Sequence, residues 1–342
     1  MRILVTGGSG FLGKHLLPHL LLSGHRVRVL SRKPGTFRLP SGVEEVPGDC
    51  LDAPSLASAL KGCEVLYHLA GKVSFDPLDA RALYALHVEG TRALLEEAKR
   101  AGVRRVVLAS TSGTIAVAKD EAPRDENHDY PIEVVGHWPY YLSKIYEEKL
   151  ALQLCRAAGI ELIVINPSLL LGPGDDRLSS TWIVQKFLAR EIPAMPSGGL
   201  SFVDVRDAAQ VFANALTQGE IYGRHLVGVN MPLREFYERL SRMTGVAAPP
   251  LRLPSAVNVL GARMLERLAH WRGTEPALTP QSVEIGEHFF NLKADKAERL
   301  LGFHARDAHE TLFDTVQDLQ SRMPASVASA SGAARFEPRS HQ

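Results

Sequence analysis

Tyr140 and Lys144 stand four residues apart in Tyr140-Tyr141-Leu142-Ser143-Lys144, which sets a phenol and an ammonium one turn apart on the same face of a helix. A phenol of pKa about 10 moves a proton near pH 7 only if its phenolate is stabilised by roughly 4 kcal/mol. One ammonium about 4 Å away supplies a Coulomb term of that order at an effective dielectric of about 20. The pair can therefore serve as a general acid or base on a carbonyl or alcohol oxygen. Tyr141 points about 100° round the helix and reads as packing. Upstream, Ser110-Thr111-Ser112-Gly113-Thr114 closes a β-branched run and offers hydroxyls to orient the reacting oxygen.

A second constellation lies at the start of the chain, where Thr6-Gly7-Gly8-Ser9-Gly10-Phe11-Leu12-Gly13 follows an apolar strand and opens a helix. Glycines at 7, 10 and 13 permit a tight turn, close backbone approach to a pyrophosphate and close helix-to-strand packing, and the helix N-terminus offers free amides to the anion. Gly7, Gly8, Ser9, Gly10, Phe11, Leu12 and Gly13 are thus read as a dinucleotide cradle. About 20 residues further on, where an acid would meet a ribose 2′-hydroxyl, stand Ser31, Arg32 and Lys33. A hydroxyl and two cations suit a 2′-phosphate, which points to NADP(H).

Positioning these groups requires alternating strands and helices. Short β-branched runs at 2–6, 26–31, 43–46, 65–69, 104–110 and 161–165 predict strands, and helical spacing predicts helices over 11–23, 54–61, 78–101 and 139–158. The fold class expected is α/β, a Rossmann-type doubly wound parallel sheet with a smaller C-terminal substrate-binding region. Pro18 inside the first helix costs about 3 kcal/mol in an unsupported interior, yet the framing strands keep the helix in place. Residues 1–170 form the dinucleotide-binding unit in this reading, 171–322 mainly the substrate region, with 200–217 returning to the first unit, and 323–342 a disordered tail of small residues. The apolar-faced helix over 253–271 is read as a pocket wall or domain packing in preference to a membrane-surface element.

The 39 Lys and Arg balance 38 Asp and Glu, so the chain has no excess field to hold nucleic acid. Cys50, Cys63 and Cys155 are scattered and not in CxxC spacing, which fits neither a disulfide framework nor a zinc site and points to a reducing cytoplasm. No signal peptide or membrane span is expected. His15 and His19 have metal-like spacing without a third ligand, so no metal is expected.

The GxxGxxG spacing, the YxxxK pair and the hydroxyls between them resemble the extended short-chain dehydrogenase/reductase family, over about residues 1–320. The resemblance implies that Lys144 also holds the nicotinamide ribose, and that the Asp49 carboxylate, in Gly48-Asp49-Cys50, meets the adenine amine. It implies that Leu69, Ala70 and Gly71 pass under the cofactor and that Asn166, Pro167 and Ser168 meet the nicotinamide carboxamide. Aligned with the reductase branch, Thr111 is the third catalytic residue; aligned with sugar epimerases, Ser112 is, and Thr111 is preferred. A homodimer through 78–101 and 139–158 is implied likewise. His87 stands in His87-Val88-Glu89-Gly90-Thr91 where the family often has Asn, which leaves open what this position does.

Three functions follow from the resemblance: an NADP(H)-dependent ketone reductase or alcohol dehydrogenase like dihydroflavonol reductases and 3β-hydroxysteroid dehydrogenases; a sugar epimerase or dehydratase, including a hopanoid-associated group; and a non-catalytic sensor. Nucleotide-sugar epimerases bring an Arg to the substrate pyrophosphate in a segment matching 200–207, where this chain has Leu200. With Phe75, Trp138, Leu169, Leu170 and Trp182 as lining candidates, a mostly apolar ketone or secondary alcohol is favoured, and the intact Tyr140 and Lys144 pair disfavours a pure sensor.

Overall fold

Runs of Val, Ile and Leu at 3–5, 65–66 and 106–108 lie side by side as strands buried on both faces, as a parallel sheet covered by helices requires. The computed structural model describes residues 1–250, 254–271 and 279–322. Its strands are β1 (Arg2–Thr6), β2 (Arg26–Ser31), β3 (Val43–Pro47), β4 (Val65–His68), β5 (Arg105–Ala109), β6 (Glu161–Pro167), β7 (Leu169–Leu171), β8 (Gly199–Asp204), β9 (Arg224–Val227) and β10 (Val229–Pro232). Its helices are α1 (Phe11–Leu22), α2 (Ala53–Leu60), α3 (Ala80–Tyr84), α4 (Thr91–Arg100), α5 (Ile132–Val135), α6 (Pro139–Ala158), α7 (Trp182–Leu188), α8 (Val205–Asn214), α9 (Leu233–Thr244), α10 (Ser255–Trp271), α11 (Pro280–Gly286), α12 (Asp295–Leu301) and α13 (Ala308–Arg322).

Seven strands form one parallel sheet in the order β3-β2-β1-β4-β5-β6-β9. Side chains alternate across it. Ile3, Val5, Val29, Tyr67 and Ile163 face α1 and α8, whereas Leu4, Leu66, Val106, Leu108 and Val164 face α2, α4 and α6. The order turns back between β1 and β4, so a crevice opens at the carboxyl ends of those strands. Pro18 leaves α1 intact because it is exposed, where water can take the carbonyl it strips of a partner.

The expected single helix over 78–101 is instead α3, a π-helical turn at Ala85–Gly90, and α4. Such wide turns collect at functional sites, and this one carries the buried His87. Of the segment 200–217, α8 packs on α1 in the main layer, while β8 lies in a separate sheet of order β10-β8-β7. That small sheet, with α7, α9 and α13, surrounds a core of Phe187, Phe202, Phe236, Tyr237, Leu240 and Leu312 above the crevice.

Contrary to expectation, α10 does not turn its large apolar face inward. It rests on α11 with Asn258 and Ala262 buried, and Leu260, Met264 and Trp271 stay exposed. The expected tail at 323–342 lies outside the described residues. Among the described residues, no helix is long and apolar enough to cross a membrane.

Candidate active site

The glycine turn needs its glycines for three separate reasons. Gly7 sits at φ +71°, and a Cβ there would lie 2.6 Å from the Leu69 carbonyl carbon and 2.7 Å from Ala70 N. The turn closes when Gly10 N donates to Gly7 O at 2.9 Å. A Cβ on Gly13 would stand 2.5 Å from that same oxygen, so α1 packs directly on the turn. Gly8 is pressed instead against Val29. Gly7, Ser9, Gly10, Phe11, Leu12 and Gly13 line one continuous cleft of about 940 Å³. Bare backbone and helix amides facing that cleft fit a dinucleotide pyrophosphate.

At the end of β2, Arg32 lines the cleft, Lys33 is exposed beyond its wall, and Ser31 is buried with its carbonyl accepting from Gly48 N. Asp49 and Cys50 lie off the wall. The Asp49 carboxylate accepts from Leu51 N at 2.9 Å, and burial pushes the Cys50 thiol up to about 12, which keeps it unreactive. Leu69, Ala70 and Gly71 line the cleft, with Ala70 N held by Thr6 Oγ1 at 3.2 Å. Pro167 and Ser168 also line it, whereas Asn166 turns inward. Its amide donates to Thr114 Oγ1 and Glu148 and at 3.3 Å to Thr111 O, and its oxygen accepts from His225 N, so it braces the catalytic strand ends.

The middle of the cleft is formed by Thr111, Ser112, Tyr140 and Lys144. The Thr111 side chain beside Tyr140 favours the phenolate. Burial opposes this more strongly, and the Glu147 charge adds to burial, so the Tyr140 phenol stands above its ordinary range. Lys144 is not among the groups that set this direction. Lys144, 4% exposed, donates to Ala109 O at 2.8 Å and ion-pairs with the fully buried Glu147. Its charge is met at once by a carboxylate one turn along the helix. Burial holds the Glu147 carboxyl above its usual range, against the pull of Lys144.

Two buried histidines fix this helix from behind. His87 Nε2 accepts from Lys72 N at 3.1 Å, which leaves the proton on Nδ1 to reach Ser143 Oγ at 2.8 Å; that hydroxyl donates to Tyr140 O. Burial, then Lys144 and His68, depress His87 to about 2, so it is a neutral brace. His68 lies between Thr6 Oγ1 at 2.7 Å and Thr91 Oγ1 at 2.8 Å, and Thr91 donates to Glu147 at 3.2 Å. Burial, followed by Lys144, lowers His68 to about 3. A hydrogen-bonded line thus runs from the end of β1 to the partner of Lys144.

Above these residues Phe75, Leu169, Leu170 and Trp182 line the cleft, with Phe75 centred 6.0 Å from both Tyr140 and Trp182. Trp138 lies behind the wall, fully buried against Tyr141 and His288. Tyr141 does reach the cleft, and its ring fills the space a Cβ on Gly113 would need. Ile285, His288 and Phe290 line the cleft beside Leu200 without having been singled out in the sequence; they come from distant segments and carry no local signal. The same holds for Arg177, which crosses from the second region to the Phe37 ring and sits 3.5 Å from Ser9 Oγ. Beside it, Asp176 ion-pairs with Lys14 of α1.

The chain is 33% identical over 331 residues to a Synechocystis protein named provisionally as a dihydroflavonol 4-reductase, covering 93% of this chain and 94% of that one. It is 27% identical to the 4-hydroxy-2-methyl-3-oxo-4-farnesyl-3,4-dihydroquinoline-1-oxide ketoreductase of Stigmatella aurantiaca, covering 93% and 96%. The crystal structure of gox2253 superposes with a TM-score of 0.80 at 30% identity, covering 94% and 98%. The profile of the NAD dependent epimerase/dehydratase family matches residues 3–228, and it is to this family, within the extended short-chain dehydrogenases/reductases, that the chain belongs.

Proposed function

We propose that the protein is an NADP(H)-dependent ketoreductase or alcohol dehydrogenase acting on a mostly apolar small molecule. The observation that carries this reading is the placement of Tyr140, beside Thr111 and Lys144, midway along a cleft with a glycine cradle at one end and Phe75, Leu200 and Trp182 on its walls. The cradle and the cations Arg32 and Lys33 would hold the dinucleotide and its 2′-phosphate, and Pro167 and Ser168 the carboxamide end; Asp49 and Asn166, both off the cleft wall, are left out of that contact set. When bound, the dinucleotide supplies or takes up the hydride. Thr111 holds the ketone oxygen by donating a hydrogen bond. Tyr140, kept protonated by burial and by Glu147, gives its proton to that oxygen as the carbonyl becomes an alcohol. The phenolate left behind regains its proton from solvent.

Leu200, buried on the cleft wall, weighs against a nucleotide-sugar epimerase or dehydratase, since it gives a substrate pyrophosphate no partner there. The name of the Stigmatella relative supports ketone reduction. NADPH oxidation against a panel of aryl ketones, steroids and β-keto acids tests the reading. Tyr140→Phe should lower turnover by about 10²- to 10⁴-fold with NADPH affinity unchanged. No oxidation across the panel, together with turnover of a nucleotide sugar, would overturn it. We also propose a cytoplasmic location and a homodimer through α3, α4 and α6, where Tyr84 and Tyr146 are exposed and pack edge to face.

A further inference from the structure

The arrangement of α10 is inverted for a helix of a water-surrounded protein. Val257, Leu260, Met264, Leu268 and Trp271 recur at spacings of three and four and so form one stripe. All five are between 40% and 82% exposed, with Trp271 the most. The opposite face carries Asn258 and Ala262, both buried, and Asn258 donates to Glu287 at 2.8 Å beside α11. A small, polar face is therefore spent on the protein, and the large apolar face on the outside. Arg263 and Arg267 stand exposed along one flank of the stripe, while Glu266 sits half-buried on the protein side.

The stripe spans about 21 Å at 1.5 Å per residue and is one helix wide, about 10 Å. It offers on the order of 200 Å², a quarter of the roughly 800 Å² per partner that a stable protein interface needs. A second copy is thus poorly served by it. An apolar face ending in Trp and edged by Arg matches the boundary between acyl chains and anionic headgroups instead. We propose that α10 docks the protein on an anionic lipid surface, with Val257, Leu260, Met264, Leu268 and Trp271 in the acyl boundary and Arg263 and Arg267 on headgroup phosphates. Docking does not depend on the reaction proposed above. It would also bring the cleft near the bilayer, because α10 rests on α11, which lines the cleft through Ser282 and Ile285.

The test is co-sedimentation of the full chain with vesicles of phosphatidylcholine alone or mixed with phosphatidylglycerol. Binding is expected to the mixed vesicles, weakened by salt. The triple variant Leu260→Ser, Met264→Ser, Leu268→Ser should lose at least about tenfold in partition, with its Tm and its turnover of a soluble ketone unchanged. Charge dependence is checked by Arg263→Gln with Arg267→Gln, expected to erase the preference for phosphatidylglycerol. Failure of the wild-type chain to sediment with either vesicle overturns the proposal. So does equal binding by the triple variant, or light scattering that shows the stripe holding two copies together. None of these overturning results is read from ketone turnover, so each leaves the reductase reading intact.

Discussion

Replacing Glu147 by Gln should move the titration of Tyr140 toward neutrality by about one pH unit. Seven residues separate the two, which is two turns of α6 and about 10 Å along its axis. A unit charge at that distance acts with about 1.6 kcal/mol at an effective dielectric of about 20, or slightly more than one pKa unit. The sign follows from the site: the Glu147 charge raises the Tyr140 phenol, so removing it stabilises the phenolate. Gln keeps the shape and can still accept from Thr91 and Lys144. The assay is the pH dependence of kcat/KM in both directions with NADPH and NADP. Ketone reduction needs the protonated phenol, so its alkaline limb should move down by about one unit. Alcohol oxidation needs the phenolate, so at a fixed pH below the limb it should gain up to roughly tenfold. At low pH the two proteins should converge, because burial holds the Glu147 carboxyl above its usual range and it takes up a proton as the pH falls. Glu147→Asp, which keeps the charge, should retain the wild-type limb. Superimposable profiles for wild type and Glu147→Gln, with both folded, would refute the electrostatic reasoning.

Arg32→Ala should weaken NADPH binding by roughly 10- to 100-fold, the worth of a charge-assisted hydrogen bond to phosphate, and NADH binding hardly at all; equal losses by fluorescence titration would remove the 2′-phosphate assignment. Gly13→Ala puts a Cβ 2.5 Å from Gly7 O and 2.6 Å from Gly8 Cα, so we expect about 1–3 kcal/mol of destabilisation and loss of dinucleotide binding, and an unchanged Tm with full affinity would contradict it. Burial depresses His68 to about 3, His87 to about 2 and His225 to about 4 from 6.5. The folded state therefore holds them neutral, and their stabilisation, complete above pH 6.5, is lost as pH falls from there toward those values. At pH 5 each withdraws about 2 kcal/mol; a Tm that stays flat between pH 7 and pH 5 would show that these imidazoles do not titrate on unfolding. Tyr146→Asp should convert the proposed dimer to a monomer in light scattering, and an unaffected mass would place the interface elsewhere.

The sequence made the Rossmann sheet legible where several signals agreed: β1, the glycine turn and α1 are one continuous segment, and α6 was bounded at 139–158 by its own periodicity. It failed for β7, β9 and β10, whose three or four residues have no period of their own and become strands only through distant partners. The site divides the same way. Gly7, Gly13, Tyr140 and Lys144 lie at fixed local spacing, and reading them needs only one turn or one helix. Glu147 also stood in plain view, three residues after Lys144, yet two adjacent glutamates on a helix read as a solvated face. What makes Glu147 part of the site is that His68 from β4 and Thr91 from α4 close over it, two contacts that no local pattern encodes. Burial then weighs on the electrostatics: Lys144 is met by a carboxylate within its own helix, and the Tyr140 phenol stands above its ordinary range. The same limit applies to α10, whose apolar period was plain but whose direction was not. A hydrophobic stripe states that a surface is to be covered; only the packing of Asn258 and Ala262 on the opposite side shows that, among the described residues, the stripe faces outward.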